Sequence, residues 1–132
     1  MIIRKAKPKD TKGCMNLLKQ EKQSHFNSSD FEKSAKDRYT LFLVAEENSK
    51  IIGYILGFIV PTRRTEAMIH ETRVDKKARH KKIGTMLVDN LCREMHKKGA
   101  KNIYALIKQK HKKFYISSCR FKKSNVWIEV KK

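Results

Sequence analysis

The stretch VDKKARHKKIGTMLVDNL, residues 74–91, joins a basic loop to the start of an amphipathic run. Five Lys and Arg side chains and one His lie between Val74 and Ile83, and Gly84 follows at once. If an extended segment ends at Val74 and a helix begins near Ile83, backbone N–H groups and positive charge meet at a helix N-terminus. Such a terminus binds phosphate groups, and a pyrophosphate in particular.

The same run also has a simpler interpretation as a solvated basic turn, which is what most runs of like charge are. Its position decides between the two, because it follows an alternating apolar segment and precedes a helical one. We therefore favour a phosphate-binding loop, to which His80 contributes its backbone and not a catalytic side chain.

Composition limits the function further. The chain has 132 residues and 15.5 kDa, which predicts one domain over residues 1–132. It has no apolar run near the roughly 20 residues of a membrane span and no secretory leader, so we expect a soluble, cytoplasmic protein. Its net charge of +19 attracts phosphates of RNA, DNA, a membrane surface or a nucleotide cofactor. A Lys-rich surface of the kind found in thermophile proteins is the alternative explanation.

The cysteines and histidines predict neither a disulfide framework nor a metal site. Cys14, Cys92 and Cys119 are odd in number and far apart, without a C-x-x-C pair. We expect them to be reduced and mostly buried. The five histidines are scattered without metal-ligand spacing.

The first half of the chain predicts a strand over residues 1–6, then a helix over 11–23 with Asp10 as its N-cap. A second helix follows, capped by Ser28 or Ser29, with Glu32 as the carboxylate of a capping box. Two extended runs then predict a hairpin around the pair Asn48 and Ser49.

The second half predicts alternating strands and helices. Gly53 and Gly57 inside the second hairpin strand indicate a bulge or a close backbone approach. Further elements are strands over 67–74, 101–108 and 125–130, a helix over 82–99 ending at its glycine, and a short helix over 111–119. Six strands interleaved with helices predict an α/β (α+β) fold with one mixed sheet covered by helices.

Over nearly its full length the chain resembles the GNAT superfamily of acetyl-CoA-dependent N-acetyltransferases. IRKAKPKDTKGCMNLL resembles the opening strand and helix of that family, and IIGYILGFIV resembles its third strand. RVDKKARHKKIGTMLV resembles the Q/R-x-x-G-x-G/A pyrophosphate loop, with Arg79 at the Q/R position and Gly84 at the last one. Lys82 stands where the first glycine is usual.

The resemblance implies a six- to seven-stranded, mostly antiparallel sheet with about four helices, and acetyl-CoA as co-substrate without a metal. It also implies that the fourth and fifth strands splay apart. The backbone of the fourth strand would then hold pantetheine and donate to the thioester oxygen. Lys82 serves the loop only if its backbone keeps an ordinary conformation, and its ammonium then pairs with a phosphate. The residues implied to bind the cofactor are Thr72, Arg73, Val74, Arg79, His80, Lys81, Lys82, Ile83, Gly84 and Thr85.

Tyr115 in KFYISSCRF takes the place of the tyrosine that protonates the departing thiolate in the family. Its spacing to Arg120 and Phe121 matches the branch that acetylates protein N-termini, although Arg120 replaces a glycine. The family's N-x-x-A element is absent, and the basic residues 108–113 stand there instead. Tyr115 as a packing residue, like its neighbour Phe114, is the alternative.

Glu71 is the candidate general base, since relatives carry an acidic residue on this strand. His70 is an alternative, which strand alternation places on the opposite face, and a base acting through water is a third. Deprotonating an α-amine of pKa about 7.8 at pH 7 costs about 1 kcal/mol, whereas deprotonating a lysine side chain costs roughly 4.6 kcal/mol. A site with a weak base therefore suits a peptide or protein α-amine better than a lysine side chain.

Two further functions remain open. A basic nucleic-acid-binding protein would use residues 76–82 and 108–113 to contact phosphates. Few aromatic residues accompany these segments, so we expect nucleic-acid binding to be at most weak and non-specific. A non-catalytic CoA-binding protein on the same fold is the other. We expect a monomer or homodimer.

Overall fold

The fold is known from a computed structural model, which describes residues 1–20, 27–124 and 130–132. In that part of the chain five strands lie side by side in chain order, and the neighbouring pairs are antiparallel except for the last, which is parallel. The predicted mixed, mostly antiparallel sheet is confirmed. The sixth predicted strand, over 125–130, falls almost wholly outside the described residues. The strands are β1 (Ile2–Lys5), β2 (Thr40–Glu47), β3 (Lys50–Ile59), β4 (Glu66–Val74) and β5 (Asn102–Ala105).

Helices cover both faces of the sheet. On one face, α1 (Thr11–Leu18) and α2 (Ser28–Lys36) pack over a cluster centred on the fully buried Tyr54. On the other face lies α3 (Ile83–Lys97), together with a π-helical turn at Phe114–Ser118. These are the four helices expected, and none of the described ones has the length and apolarity to cross a membrane.

The hairpin between β2 and β3 and the glycines of β3 have the predicted roles. Asn48 and Ser49 have φ values of 51° and 61°, as a tight two-residue turn with left-handed residues requires. A Cβ atom on Gly57 would lie 2.6 Å from Cε of Met95, and one on Gly53 would lie 3.1 Å from a methyl carbon of α3. The absence of these side chains therefore lets α3 pack directly on β3.

The predicted cap of α2 is wrong, whereas Asp10 is found at the predicted N-cap position of α1 without a side-chain capping bond. Asn27, and not Ser28 or Ser29, caps α2, and its side chain accepts from the N–H of Asp30 at 3.0 Å. The Asp30 carboxylate returns the bond at 2.9 Å, which is the role predicted for Glu32. The box therefore lies before the two serines, since asparagine caps as well as serine.

Asp10 directly precedes α1 but does not cap it with its side chain. Its carboxylate accepts from the N–H of Lys7 at 2.8 Å and forms two bonds with the guanidinium of Arg4, at 2.8 and 2.9 Å. The guanidinium of Arg4 is also bonded to Glu46 at 2.7 Å. Asp10 thus ties β1 to the start of α1, because an aligned guanidinium outcompetes a helix amide for the carboxylate.

Candidate active site

An opening in the sheet defines the site. β5 pairs with β4 only from Glu66 to Ile69, whereas β4 continues to Val74 with β3 as its partner strand in the described residues. One edge of the second half of β4 is therefore left without a strand, which is the splay implied by the resemblance. A cavity of about 1100 Å³ lies there, between β4, the loop after it, the start of α3, the segment after β5 and the π-helical turn.

The loop after β4 is held by a buried carboxylate that the sequence analysis did not identify. Asp75 is 5% exposed, accepts from the N–H of Lys77 at 2.9 Å and pairs with the ammonium of Lys50 at 3.5 Å. The side-chain oxygen of Gln20, just after α1, accepts from the N–H of Lys76 at 3.1 Å. These bonds fix the direction in which the loop leaves the strand. An Asp directly after a strand is a recognisable capping signal, and it could have been used.

Two residues of the basic loop have left-handed backbone conformations. The φ angle is 69° at His80 and 60° at Lys82. The expectation that Lys82 keeps an ordinary conformation is therefore wrong. Lys82 adopts the conformation that glycine takes most readily, at the position where the family usually has glycine, and this strengthens the alignment of the loop.

The first turn of α3 lies in the wall of the cavity. The carbonyl of Lys82 accepts from the N–H of Met86 at 3.0 Å, and the Lys82 side chain makes no capping hydrogen bond. The amides of Ile83, Gly84 and Thr85 therefore belong to the first turn, whose N–H groups have no partner within a helix. Of the predicted cofactor-binding residues, all but the exposed Lys81 line the cavity.

Gly84 brings α3 close to the π-helical turn. A Cβ atom on Gly84 would lie 3.1 Å from Cζ of Phe114, closer than a side chain normally comes. This contact, and not a left-handed backbone, is what requires a small residue at Gly84.

Tyr115 is buried, with 5% of its surface exposed, and its ring packs edge-on against Phe114 and Phe121. Its hydroxyl lies 2.9 Å from the hydroxyl of Thr72, and both residues line the cavity. Burial raises the pKa of Tyr115, with a smaller opposing effect of the bond to Thr72. The phenol therefore keeps its proton at neutral pH and is a possible hydrogen-bond and proton donor.

The segment after Tyr115 contains a second left-handed residue at a glycine position of the family. Arg120 has φ of 61°, and the N–H of Phe121 then donates to the carbonyl of Tyr115 at 2.9 Å. Left-handed residues commonly end helices in this way. Arg120 thus adopts the backbone conformation that glycine takes most readily, and Phe121 packs against the Tyr115 ring.

Glu71 is held by two bonds. Its carboxylate accepts from the hydroxyl of Tyr54 at 2.9 Å and from Nε of Arg73 at 2.7 Å, and its side chain is 12% exposed. Burial, the charge of Glu71 and this hydrogen bond all raise the pKa of Tyr54, so that the phenol remains a donor. Because each carboxylate oxygen has two lone pairs, Glu71 retains the capacity to accept a further proton or water.

A bulge at His70 determines which way Glu71 faces. Ile69 is opposite Gly57 and Glu71 is opposite Leu56, so His70 is an extra residue on β4. Ile69 consequently packs on the α3 side, whereas Glu71 meets Tyr54 on the α1 side. The alternation that we used to separate His70 from Glu71 is interrupted at this point, and both residues line the cavity.

The thiols lie in the core and not in the cavity wall. Cys14 is fully buried, and burial raises its pKa to about 12. Cys92 and Cys119 are half-buried, and burial raises the pKa of each to about 11. All three are therefore protonated and weakly nucleophilic at neutral pH. No cluster of three metal-binding side chains occurs among residues 1–20, 27–124 and 130–132.

Comparison with known proteins identifies the family to which a chain with this fold and cavity belongs. Residues 11–116 match the family model described as Acetyltransferase (GNAT) family, and the chain belongs to that family. No curated protein sequence shows significant similarity to it.

Solved structures share the fold at low sequence identity. The ribosomal-protein-alanine N-acetyltransferase of Brucella melitensis biovar Abortus 2308 is 16% identical, with a TM-score of 0.82 over 100% of this chain and 99% of that one. The tetramutant of the BH1408 protein of Bacillus halodurans is 20% identical, with a TM-score of 0.83 over 99% of each chain. An aminoglycoside N-acetyltransferase in complex with CoA is 15% identical, with a TM-score of 0.84 over 99% of this chain and 93% of that one.

Proposed function

We propose that this protein transfers an acetyl group from acetyl-CoA directly to a primary amine, and that the acceptor is an amine of a peptide or protein. The observation that carries the proposal is the convergence of three features on one cavity. These are the edge of β4 that has no partner strand among the described residues, the start of α3 and the Tyr115 hydroxyl bonded to Thr72. We further propose that residues 1–132 act as one domain in the cytoplasm, as a monomer or homodimer.

The cavity has the groups needed to hold acetyl-CoA, which supplies the acetyl thioester. The N–H groups of Ile83, Gly84 and Thr85 provide donors and the positive end of a helix dipole for the pyrophosphate. Arg79 and Lys82 add charge to the same wall. The open backbone edge of β4 provides peptide groups for the pantetheine arm. Thr72, Arg73 and Val74 belong to this edge.

Acid and base approach the opening from opposite sides of the sheet. Tyr115 is bonded to Thr72 on the α3 side, and Glu71 is bonded to Tyr54 on the α1 side. Tyr115 protonates the leaving thiolate, whereas Glu71 takes the proton of the amine, directly or through a water. This separation suits direct transfer, because the attacking amine gives up its proton to one group while the departing thiolate takes a proton from the other.

The thiols favour direct transfer over a covalent acetyl-enzyme. A cysteine nucleophile needs a lowered pKa and access to the reacting carbon. Burial instead raises the pKa of Cys119 to about 11, and its neighbour Ser118 is the residue that lines the cavity.

An α-amine is the acceptor that these groups serve most readily. Glu71 is the only carboxylate that lines the described cavity wall, and it already accepts hydrogen bonds from Tyr54 and Arg73. Deprotonating an α-amine at pH 7 costs roughly 3–4 kcal/mol less than deprotonating a lysine side chain. The structural relatives named above include enzymes for a protein alanine and for aminoglycosides, and fold similarity alone does not choose between them.

Calorimetry with acetyl-CoA tests the proposal, followed by thiol release with peptide acceptors. Wild-type protein should bind acetyl-CoA, and Arg79→Ala should weaken binding about 10- to 100-fold, since charge-assisted hydrogen bonds contribute about 1.5–3 kcal/mol. Lys77→Ala is the matched control, because Lys77 lies on the same loop but outside the cavity wall. Absence of acetyl-CoA binding by the wild type would refute the proposal.

A second candidate is nucleic-acid binding, with or without catalysis, and the observation that favours it is the net charge of +19. One acetyl-CoA engages only the cations around its own cavity. We expect weak binding to RNA and DNA that is independent of sequence and falls steeply with salt. Fluorescence anisotropy across a salt titration measures it. Tight, selective binding together with no acetyl transfer to any amine would favour the second candidate.

A further inference from the structure

Cationic side chains dominate the wall of the active-site cavity in the described part of the chain. Six Lys and Arg residues line it, against a single acidic residue, Glu71. The sign of the local field is therefore the same as that of the whole molecule. The cations are Arg73, Lys76, Arg79, Lys82, Lys108 and Lys110.

The one carboxylate of the described wall already has a positively charged partner. Glu71 pairs with Arg73 at 2.7 Å and also accepts from Tyr54 at 2.9 Å. A cationic acceptor would need carboxylates beyond the catalytic base to hold its other ammonium groups. The described wall supplies none, and each additional positive charge on the acceptor would meet like charge.

Part of the positive wall lies on the side from which the amine arrives. Arg73 shares the face of β4 that carries Glu71, as its bond to that carboxylate shows. Lys76 is attached to the end of α1 through the bond from its N–H to Gln20, and α1 packs on this same face. Arg79 and Lys82 lie nearer the start of α3, where the phosphates of acetyl-CoA are expected to bind. Arg73 is itself paired with Glu71, so Lys76 is the cation of this face that remains to act on the acceptor.

We propose that the acceptor is the α-amino group of a peptide or protein whose next residues are acidic, and that polycationic amines are poor acceptors. This inference rests on the proposed acetyl transfer and adds the chemical class of its acceptor. Acidic side chains near the amine bind Lys76, the cation of the α1 side that Glu71 does not neutralise, which raises the rate at low substrate concentration. Salt weakens this preference, because the groups are partly exposed to solvent.

Thiol release with three matched peptides tests the proposal. The peptides differ only in residues 2 and 3, which are both aspartate, both asparagine or both lysine, and spermine is a polycationic comparison. We expect kcat/KM to fall in the order aspartate, asparagine, lysine, by about fivefold per unit charge, the size of the Coulomb interaction between charges about 4 Å apart in water. The differences should shrink as the salt concentration is raised.

Charge reversals at two neighbouring lysines test whether the peptide preference depends on Lys76 itself or on net charge. Lys76→Glu should lower the ratio of kcat/KM for the aspartate peptide to kcat/KM for the lysine peptide severalfold. Lys77→Glu changes the net charge equally but lies outside the cavity wall, so it should change this ratio much less. Circular dichroism confirms that each variant folds.

The outcomes separate this inference from the function on which it rests. Turnover that is equal for the three peptides, or fastest with lysine or spermine, would overturn the acceptor class and leave acetyl transfer standing. Equal effects of the two reversals would assign the preference to net charge and overturn the role of Lys76. Absence of turnover with every amine would overturn both.

Discussion

The hydroxyl oxygens of Thr72 and Tyr115 lie 2.9 Å apart and connect the open edge of β4 to the π-helical turn. Residues 43 positions apart in the chain are thereby joined at the cavity wall. The rings of Phe114 and Phe121 hold Tyr115 from two sides, at centroid distances of 5.0 and 5.5 Å. Thr72 is therefore a positioning residue for a phenol that its surroundings keep protonated.

Replacing Tyr115 by Phe should lower kcat by roughly 100-fold, within the usual range for a general acid. Acetyl-CoA affinity should change little, because the ring and its packing are kept while a transition-state interaction is lost. Steady-state kinetics and calorimetry measure the two quantities. Tyr39→Phe is the control, since Tyr39 lies outside the cavity wall and bonds to Arg64. An unchanged kcat would show that Tyr115 is a packing residue.

Replacing Glu71 by Gln should reduce kcat by about 100-fold and flatten the rise of the pH–rate profile towards alkaline pH, because the amide cannot accept the proton of the amine. Glu66→Gln is a matched control on the same strand, at the end that pairs with β5. Thermal unfolding should accompany the assay, since Arg73 loses its ionic partner in the first variant. A normal profile for Glu71→Gln would exclude Glu71 as the base.

The sequence predicted the strands and helices well because their signals are local. Alternating apolar residues, the pair Asn48 and Ser49, and the glycines of β3 each specify a backbone conformation within a few residues. The position of the basic loop between a strand and a helix was also predictable, because the patterns of β4 and α3 on either side of it are local. The residues at the start of α3 accordingly line the cavity.

The arrangement around Glu71 was not predictable in this way. One extra residue at His70 turns Glu71 towards Tyr54, and nothing in the alternation of the strand reveals it. A bulge depends on how two strands pair, and hence on contacts between distant residues. The bond between Gln20 and Lys76 has the same origin. The left-handed conformation of Lys82 opposes the preference of lysine itself, so that tertiary context determines it.

Replacing Lys82 by Gly should stabilise the fold while weakening acetyl-CoA binding. A left-handed conformation costs a non-glycine residue about 1–2 kcal/mol, whereas glycine loses about 0.5–1 kcal/mol through its more flexible unfolded state. Lys82→Ala removes the same ammonium but keeps the strained backbone. Both variants should bind acetyl-CoA about tenfold or more weakly in calorimetry. Only the glycine variant should unfold at a higher temperature than the wild type, and equal unfolding temperatures would contradict the strain.

Asp75 should make the loop after β4 sensitive to acid. The hydrogen bond from the N–H of Lys77 is the main cause that lowers the pKa of this buried carboxyl, and the Gln20 side chain and Lys50 add to it. Because the folded-state pKa is depressed, the stabilisation is present above about pH 4, the ordinary pKa of aspartate, and is lost as the pH falls through the folded value.

Asp75→Asn should therefore lower the free energy of unfolding by about 1–2 kcal/mol at pH 7, because the amide keeps an oxygen for Lys77 but loses the charge. The difference from the wild type should shrink as the pH is lowered below about 4, since the wild-type carboxyl then becomes neutral as well. Urea denaturation between pH 2 and 7 measures both effects. Asp89→Asn is the control, because Asp89 is exposed on α3, outside the cavity wall, and should give a difference that is small at every pH. A constant difference between Asp75→Asn and the wild type across this range would show that packing, and not the charge of Asp75, holds the loop.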